Sequence, residues 1–309
     1  MGVTTRDIYG DAASGAQPAT AGSYGLAPKG FRLPAGTRVG PVRLQIADLT
    51  RSLAYYERIL GLRVLERDST SALLGADIPL VELHERPGVA PVPDRGRLGL
   101  YHFAILLPDR PSLGRFLANV GELDVRIGAA DHLVSESIYL QDPDNLGIEV
   151  YADRPRASWQ RIGRELMMAT DPLDIRGLLR EAGATTWDGM PAGTVMGHVH
   201  LRVGDIPGAT AFFSEGLGFD RTVWEYPGAL FLAADGYHHH LGTNTWAGRG
   251  ATPPTAEEAQ LLEWTIALSD RASVDDAAAS LERAGSHPTR DGDDVVVRDP
   301  WGTQLRLRA

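Results

Sequence analysis

The sequence predicts an α+β fold of four βαβββ modules in two halves, and an internal repeat is the main evidence. Residues 41–62 align without a gap on residues 198–219. Residues 103–110 resemble residues 264–271 more loosely. Self-similarity of this kind indicates duplicated structural units. The predicted organisation is an arm at 1–38, a first domain at 39–155 with modules 39–90 and 97–155, a linker at 156–192, and a second domain at 193–309 with modules 193–248 and 258–309.

The first module gives the element order of the repeat. Residues 41–46 alternate between apolar and polar side chains, which is typical of a half-buried strand. Asp48 can cap a helix that runs to about Leu60, where Gly61 ends it. Three short strands are expected next, at 63–66, 71–74 and 80–84.

The segments outside the modules carry weaker patterns. Residues 1–38 are rich in Ala, Gly, Pro, Ser and Thr, which predicts a flexible or surface-draped arm. Tyr24 and Phe31 could anchor part of it on a domain surface. The linker shows one helical pattern around 166–169 and a second near 178–182.

A hairpin at 132–151 carries the most unusual pattern. Two alternating strands flank the turn sequence Asp-Pro-Asp-Asn at 142–145. On the return strand, Glu149 stands between two apolar residues and shares a face with Tyr151. Burying an unpaired carboxylate is costly, and a bound metal is one reason for such a position.

The composition restricts the partners and the chemistry. The 309 residues carry a formal net charge of −10 with a pI of about 5.4, so neither nucleic acid nor an anionic membrane is an expected partner. The chain has no cysteine, and metal ligands must therefore be His, Asp or Glu. The lack of cysteine, of a signal pattern and of a long apolar run favours a cytoplasmic protein without a membrane partner. Association into a homo-oligomer is compatible with this composition.

The paired βαβββ modules resemble the vicinal oxygen chelate superfamily, with its glyoxalase/bleomycin resistance/extradiol dioxygenase fold, over residues 39–309. The resemblance implies that two modules curl their sheets into a trough around a metal. One ligand would come from the first strand of a module and another from a last strand. Modules 1 and 4 offer Pro41 and Arg306 at such positions, and neither suits a metal.

Modules 2 and 3 offer a better ligand set, which consists of His102, Glu149 and His198. Two imidazoles and one carboxylate form the facial triad of non-heme Fe(II) oxygenases, and Mn(II) accepts the same ligands. We therefore expect the metal site between the two inner modules, across the linker, rather than within either half.

The hairpin itself resembles the signature of extradiol ring-cleavage dioxygenases. The matching elements are His132, Ile138-Tyr139, Asp142-Pro143 and Glu149. The strings Gly-Leu-Tyr-His-Phe-Ala and Tyr-His-His-His most resemble the catechol 2,3-dioxygenase branch. This resemblance implies that O₂ is inserted into a catechol by meta cleavage to give a 2-hydroxymuconic semialdehyde, in aromatic hydrocarbon catabolism.

The resemblance also implies roles for single residues. Tyr139 would help to deprotonate a substrate hydroxyl. An acid/base histidine would come from residues 238–240, and turn spacing favours His240 because it aligns with Glu149, while His239 is expected to point towards the helices. The residues expected to bind substrate are His132, His200, Tyr151 and Trp246.

Other functions on the same fold are open at this point. A glyoxalase-type metal-dependent isomerase or lyase prefers two carboxylate ligands, and only Glu149 is evident here. A hydroquinone-type ring-cleavage dioxygenase would use the same triad on a different ring. A non-catalytic ligand-binding module would lack metal ligands. Function belongs to the site rather than to the fold, so the fold alone does not decide among these.

Overall fold

The structure is a computed structural model that describes residues 3–309, so the first two residues of the predicted arm lie outside the described residues. The helices are α1 (Thr5–Tyr9), α2 (Leu49–Tyr55), α3 (Arg110–Glu122), α4 (Ile175–Ala182), α5 (Ile206–Ala209) and α6 (Arg271–Arg283). Within the described residues, no helix is long and apolar enough to cross a bilayer.

Across residues 3–309, nineteen strands accompany the helices. Those before the linker are β1 (Gln17–Pro18), β2 (Arg38–Ile46), β3 (Arg63–Arg67), β4 (Ser71–Gly75), β5 (Pro79–Glu85), β6 (Gly99–Leu106), β7 (Gly128–Asp131), β8 (Ser135–Gln141) and β9 (Gly147–Asp153). Those from the linker onwards are β10 (Gln160–Ile162), β11 (Glu165–Leu166), β12 (Val195–Arg202), β13 (Asp220–Val223), β14 (Ala229–Ala233), β15 (Leu241–Asn244), β16 (Gln260–Ala267), β17 (Thr289–Asp291), β18 (Asp294–Arg298) and β19 (Gln304–Arg308). The α+β fold and the four βαβββ modules are thereby confirmed.

The helix of each module starts at an aspartate that caps it. The side chains of Asp48, Asp109, Asp205 and Asp270 each accept a hydrogen bond from the backbone N–H three residues later, at 2.6–2.8 Å. A carboxylate there satisfies a backbone donor that has no partner within the helix. All four modules therefore share the same helix cap.

The predicted helix of module 1 is confirmed, although its second part is irregular. Helix α2 continues as a π-helical turn at Tyr56–Leu60, and Gly61 ends it in the left-handed conformation with φ of 75°. A Cβ on Gly61 would lie 2.6 Å from the Cα atom of Gly189. Glycine is thus required both by the turn and by the linker that crosses it.

The modules pair crosswise into two eight-stranded sheets. The inner sheet has the order β13-β14-β15-β12-β6-β9-β8-β7 and joins modules 2 and 3. The outer sheet has the order β17-β18-β19-β16-β2-β5-β4-β3 and joins modules 1 and 4. In each sheet the two first strands meet as an antiparallel pair, β12 with β6 and β16 with β2. Each predicted domain therefore contributes one module to each sheet.

The larger of the two apolar clusters in the described residues lies where these four first strands come together. Leu44, Phe103, Val199 and Trp264, one from each first strand, are all fully buried in one cluster. Side chains alternate between the faces of a strand, so the opposite face of β6 and β12 is free to carry polar groups. The apolar core thus positions the polar site behind it.

The arm and the linker wrap the inner sheet. Strand β1 pairs with β10, and the side chain of Thr5 donates a hydrogen bond to Asp171 at 2.5 Å. Tyr24 donates to the carbonyl of Gly236, and the ring of Phe31 lies against Gly218. These long-range contacts order an arm that has little local periodicity.

The two helices expected in the linker have different outcomes. The prediction for residues 178–182 is confirmed by α4. The prediction for residues 166–169 is wrong, since Leu166 belongs to β11 and residues 167–170 are irregular. Leu166 and Met168 belong to a small apolar cluster with Trp159. The apolar residues at 166–169 therefore reflect burial against this cluster and not the period of a helix.

Candidate metal centre and substrate cavity

Three buried side chains converge from three adjacent strands of the inner sheet. His102 lies on β6, Glu149 on β9 and His198 on β12, and the sheet order places β6 between the other two. One ligand atom from each lies within 4.8 Å of the others. In residues 3–309 this is the one group of His, Cys, Asp or Glu that meets this spacing. The structure therefore brings together the three side chains that the sequence predicts as ligands.

The electrostatics of the cluster suit metal binding. Burial favours a raised pKa for Glu149, but the adjacent imidazoles of His198 and His102 outweigh it and hold the pKa well below its usual range. Burial lowers the pKa of His198 to about 4. An ionised carboxylate and a neutral imidazole with a free lone pair are the forms that coordinate a metal.

The hydrogen bonding of the cluster leaves room for an ion. Nε2 of His102 lies 2.9 Å from Oε2 of Glu149, but the geometry is not that of a hydrogen bond and this buried nitrogen has no other partner. Nε2 of His198 lies 3.1 Å from the same oxygen. Oε1 of Glu149 accepts a 2.6 Å hydrogen bond from Ser137, which fixes the carboxylate. Two imidazoles and one carboxylate around one point fit a divalent metal.

A tyrosine–histidine pair lies beside the cluster. Tyr139 is directly opposite Glu149 in the β8–β9 ladder, and its hydroxyl lies 2.5 Å from Nε2 of His132. Nδ1 of His132 lies 2.6 Å from the carbonyl oxygen of Ala169. That carbonyl can only accept, so Nδ1 carries the proton and Nε2 accepts from Tyr139. Burial, and then the charge of Glu149, raise the pKa of Tyr139 well above its usual value.

The cluster opens into a cavity of about 560 Å³ with an aromatic wall. His200 and Trp246, both predicted to bind substrate, line this cavity together with His132. Nε2 of His200 lies 3.0 Å from Nδ2 of Asn244, and its ring lies 5.7 Å from that of Trp246. The other aromatic lining residues are Tyr101, Tyr226, Phe231 and His239. A planar ring suits such a wall.

The prediction for His240 requires a correction, because the side chain points away from the cavity. Its ring stacks at 6.2 Å on Phe219, and its Nδ1 accepts a hydrogen bond from the backbone of Ala234. His239 faces the cavity instead, with its ring 4.0 Å from that of His198. Strand β15 begins only at residue 241, so the alternation of a strand does not extend back through residues 238–240. The parallel pairing with β12 gives Gly242, not His240, the place of Glu149.

A chain of polar contacts leads from His239 away from the cavity. Its Nδ1 lies 2.6 Å from Nδ1 of His238, whose Nε2 lies 2.9 Å from Oδ1 of Asp153. His238 is fully buried, and the Asp153 side chain is 29% exposed. These contacts connect the cavity wall to the surface of the protein.

Tyr151 also differs from its prediction as a substrate-binding residue. It shares the face of Glu149 but does not line the cavity, and its hydroxyl lies 2.7 Å from that of Tyr237. A Cβ on Gly197 would overlap this hydroxyl, so the tyrosine fills the space over that glycine. The face was predicted correctly, but the position along the strand lies behind the cavity.

In the outer sheet the equivalent region holds an ion-pair network. Nε and Nη2 of Arg306 bind the two carboxylate oxygens of Glu263 at 2.7 and 3.1 Å. Further contacts join Arg306 to Asp291 and Asp294. A guanidinium thus occupies the centre of the outer sheet, where the inner sheet has its three candidate ligands.

Some residues of the cavity were missed by the sequence interpretation. Arg202 lies on the same strand as His198 and His200, and the alternation of β12 could have identified it. Tyr101 and its neighbour His102 both line the cavity, although the alternation of a strand would place their side chains on opposite faces. A register shift between β12 and β6 near His200 accompanies this exception. Val3 of the arm lines the cavity as well, which no local pattern could have indicated.

Comparison with known proteins gives a consistent result. The family model described as Glyoxalase/Bleomycin resistance protein/Dioxygenase superfamily matches residues 38–150 and 195–307. A catechol-2,3-dioxygenase from Bacillus subtilis (strain 168) is 44% identical over 270 residues, which are 85% of this chain and 94% of that protein. Among solved structures, glyoxalase I from Zea mays covers 88% of this chain and 92% of its own with a TM-score of 0.53. At 19% identity, that likeness concerns the fold alone.

Proposed function

This chain belongs to the Glyoxalase/Bleomycin resistance protein/Dioxygenase superfamily, and we propose that it is an Fe(II)-dependent extradiol dioxygenase that cleaves catechols. The observation that carries the proposal is the buried His102–Glu149–His198 cluster beside the Tyr139–His132 pair. The 44% identity to a catechol-2,3-dioxygenase over most of both chains supports it.

The proposed reaction inserts both atoms of O₂ into the ring. The C–C bond next to the two hydroxyl-bearing carbons breaks, and catechol plus O₂ gives 2-hydroxymuconic semialdehyde without a further reductant. Fe(II) held by the three side chains would act as a Lewis acid on the catechol oxygens and supply the redox chemistry of O₂. Mn(II) fits the same ligands.

The Tyr139–His132 pair would remove a proton from the substrate. Tyr139 keeps its own proton at neutral pH because its pKa is well above the usual value. A catechol hydroxyl next to Tyr139 could pass its proton to the phenol oxygen while the phenol proton moves to Nε2 of His132. The bond from Nδ1 to the carbonyl of Ala169 keeps that Nε2 available as an acceptor.

His239 is the proposed acid/base group on the other wall. Its pKa is well below the usual value, because burial and the neighbouring His198 disfavour the charged form. The ring is therefore neutral and can accept a proton. The contacts through His238 to Asp153 orient its ring and provide a route for a proton towards the surface.

The test is aerobic turnover of the protein after anaerobic loading with Fe(II). We expect a yellow ring-cleavage product from catechol, with one O₂ consumed per ring. His198→Ala should lose both bound iron and turnover, whereas His84→Ala, a half-exposed histidine of the outer sheet, should keep both. No product from any catechol, or full iron content in His198→Ala, would overturn the proposal.

A further inference from the structure

One partly buried arginine of the cavity has no anionic partner among residues 3–309. Arg202 lines the cavity and is partly buried, and its guanidinium makes neither a salt bridge nor a hydrogen bond within residues 3–309. Its close contact is with Tyr101, whose ring centroid lies 5.1 Å from Cζ. Stacking on a ring leaves the N–H groups at the edge of the guanidinium free for a ligand.

The position of Arg202 relates it to the candidate metal centre. His198, His200 and Arg202 follow one another at every second residue of β12, so their side chains share the cavity face. Four residues of a strand span about 13 Å, which is the separation along β12 between the backbone of His198 and that of Arg202 at the other end of this cavity face. The ring of Tyr101 lies 5.1 Å from Cζ of Arg202 and 5.0 Å from the ring of His102, and so it links the guanidinium to the candidate ligands.

Other charges near this end leave the arginine uncompensated. Asp94 and Arg95 are exposed and also line the cavity. Asp94 already accepts a hydrogen bond from Asn145 at 3.0 Å and makes no salt bridge with Arg202. A partly buried cation without a counter-ion is costly, so an anion supplied by a ligand would stabilise it.

We propose that Arg202 binds an anionic substituent, such as a carboxylate on a short side chain, on the ring edge opposite to the two hydroxyls of the catechol. This inference rests on the proposed function, since the hydroxyls of the substrate must lie at the His102–Glu149–His198 end. It names the substrate class as catechols that carry an acidic side chain. The guanidinium presents paired donors that match the geometry of a carboxylate.

The experiment compares two ligands that differ chiefly in the charge of the side chain. One is 3,4-dihydroxyphenylacetate, and the other is its methyl ester. Anaerobic calorimetry on the Fe(II)-loaded protein gives the ratio of their dissociation constants without turnover. We expect the acid to bind about tenfold more tightly than the ester, as for a charge-assisted hydrogen-bonded pair.

Variants of Arg202 assign the preference to this side chain. Arg202→Met should bring the ratio close to one, and Arg202→Lys should keep part of it. Arg202→Glu should reverse it and favour dopamine, the amine with a similar side chain. Because each ratio is taken within one variant, a general loss of affinity cancels.

Three outcomes would overturn the inference. They are equal binding of acid and ester by the unmodified protein, an unchanged ratio in Arg202→Met, or loss of the ratio in Arg95→Met instead. Cleavage of unsubstituted catechol is measured in parallel. If catechol is cleaved but the ratio is close to one, the inference fails alone, whereas absence of all cleavage is a failure of the proposed function.

Discussion

The imidazole of His200 occupies the space that a side chain on residue 242 would need. A Cβ placed on Gly242 would lie 2.8 Å from both Cγ and Nδ1 of this ring. Gly242 has the place in module 3 that Glu149 has in module 2, because both strands pair in parallel with the first strand of their module. Module 3 thus has a glycine where module 2 has the candidate ligand Glu149, and the imidazole of His200 fills the space beside this glycine.

Gly242→Ala should therefore displace His200 and distort the cavity. We expect a higher KM for catechol, by about tenfold, and a loss of about 1–3 kcal/mol in the free energy of unfolding from overpacking. Steady-state kinetics and urea unfolding measure the two effects. Gly128→Ala is the matched control, since that strand glycine lines the same cavity and its Cβ would meet only the Cβ of Tyr139 at 3.5 Å. Equal effects of the two substitutions would contradict the prediction.

Ser137→Ala should weaken metal binding. The serine hydroxyl donates a 2.6 Å hydrogen bond to Oε1 of Glu149 and so directs Oε2 towards the two histidines. Loss of a hydrogen bond behind a ligand typically lowers metal affinity by about 10–100-fold. Anaerobic Fe(II) titration against a chelator measures the affinity. Ser135→Ala, at an equally buried serine on the same strand face, should leave it unchanged.

His239→Asn and His240→Asn should separate catalysis from stability. We expect His239→Asn to lower kcat by about 10²–10⁴-fold, because His239 faces the cavity. His240→Asn should keep kcat but lower the melting temperature, since its ring packs on Phe219 and Tyr237. A loss of kcat in His240→Asn alone would restore the assignment made from turn spacing.

Asp142 should make the folded state less stable as the pH rises towards neutrality. Burial raises its pKa from 3.8 to about 7, despite hydrogen bonds from the backbone of Leu146 and Asp144. Between these values the folded chain holds a proton that the unfolded chain has lost, so the free energy of unfolding falls with rising pH, by about 1.4 kcal/mol per unit.

Urea unfolding at several pH values between about 4 and 8 checks this effect. Asp142→Asn keeps the same acceptor oxygen and should flatten the decline. Asp205→Asn, at an exposed helix cap, should follow the unmodified protein. If Asp142→Asn also follows it, the buried carboxyl is not the source of the pH dependence.

The fold and the candidate ligands could be predicted because they depend on regular, repeated elements. His102, Glu149 and His198 all lie within strands, where alternation determines the face of each side chain. Pro41 and Arg306 at the alternative positions then favoured the pairing of modules 2 and 3.

The remaining features depend on irregular backbone or on distant contacts. Residues 238–240 precede β15, so alternation could not decide which histidine faces the cavity. The face of Tyr151 was predictable, but its depth depends on the space above Gly197. Val3 reaches the cavity only because the arm binds the linker through Asp171.

The crosswise pairing of modules determines which of the two sheets can be completed first during synthesis. All three candidate ligands and the whole inner sheet lie within residues 97–244, so they are synthesised before module 4. Strand β2, in contrast, pairs with β16, which is synthesised much later. Until β16 is available, the edge of β2 that it covers remains unpaired. The nascent protein can therefore assemble its metal centre while the outer sheet is still open, and premature termination before module 4 would leave an aggregation-prone edge on an otherwise intact site.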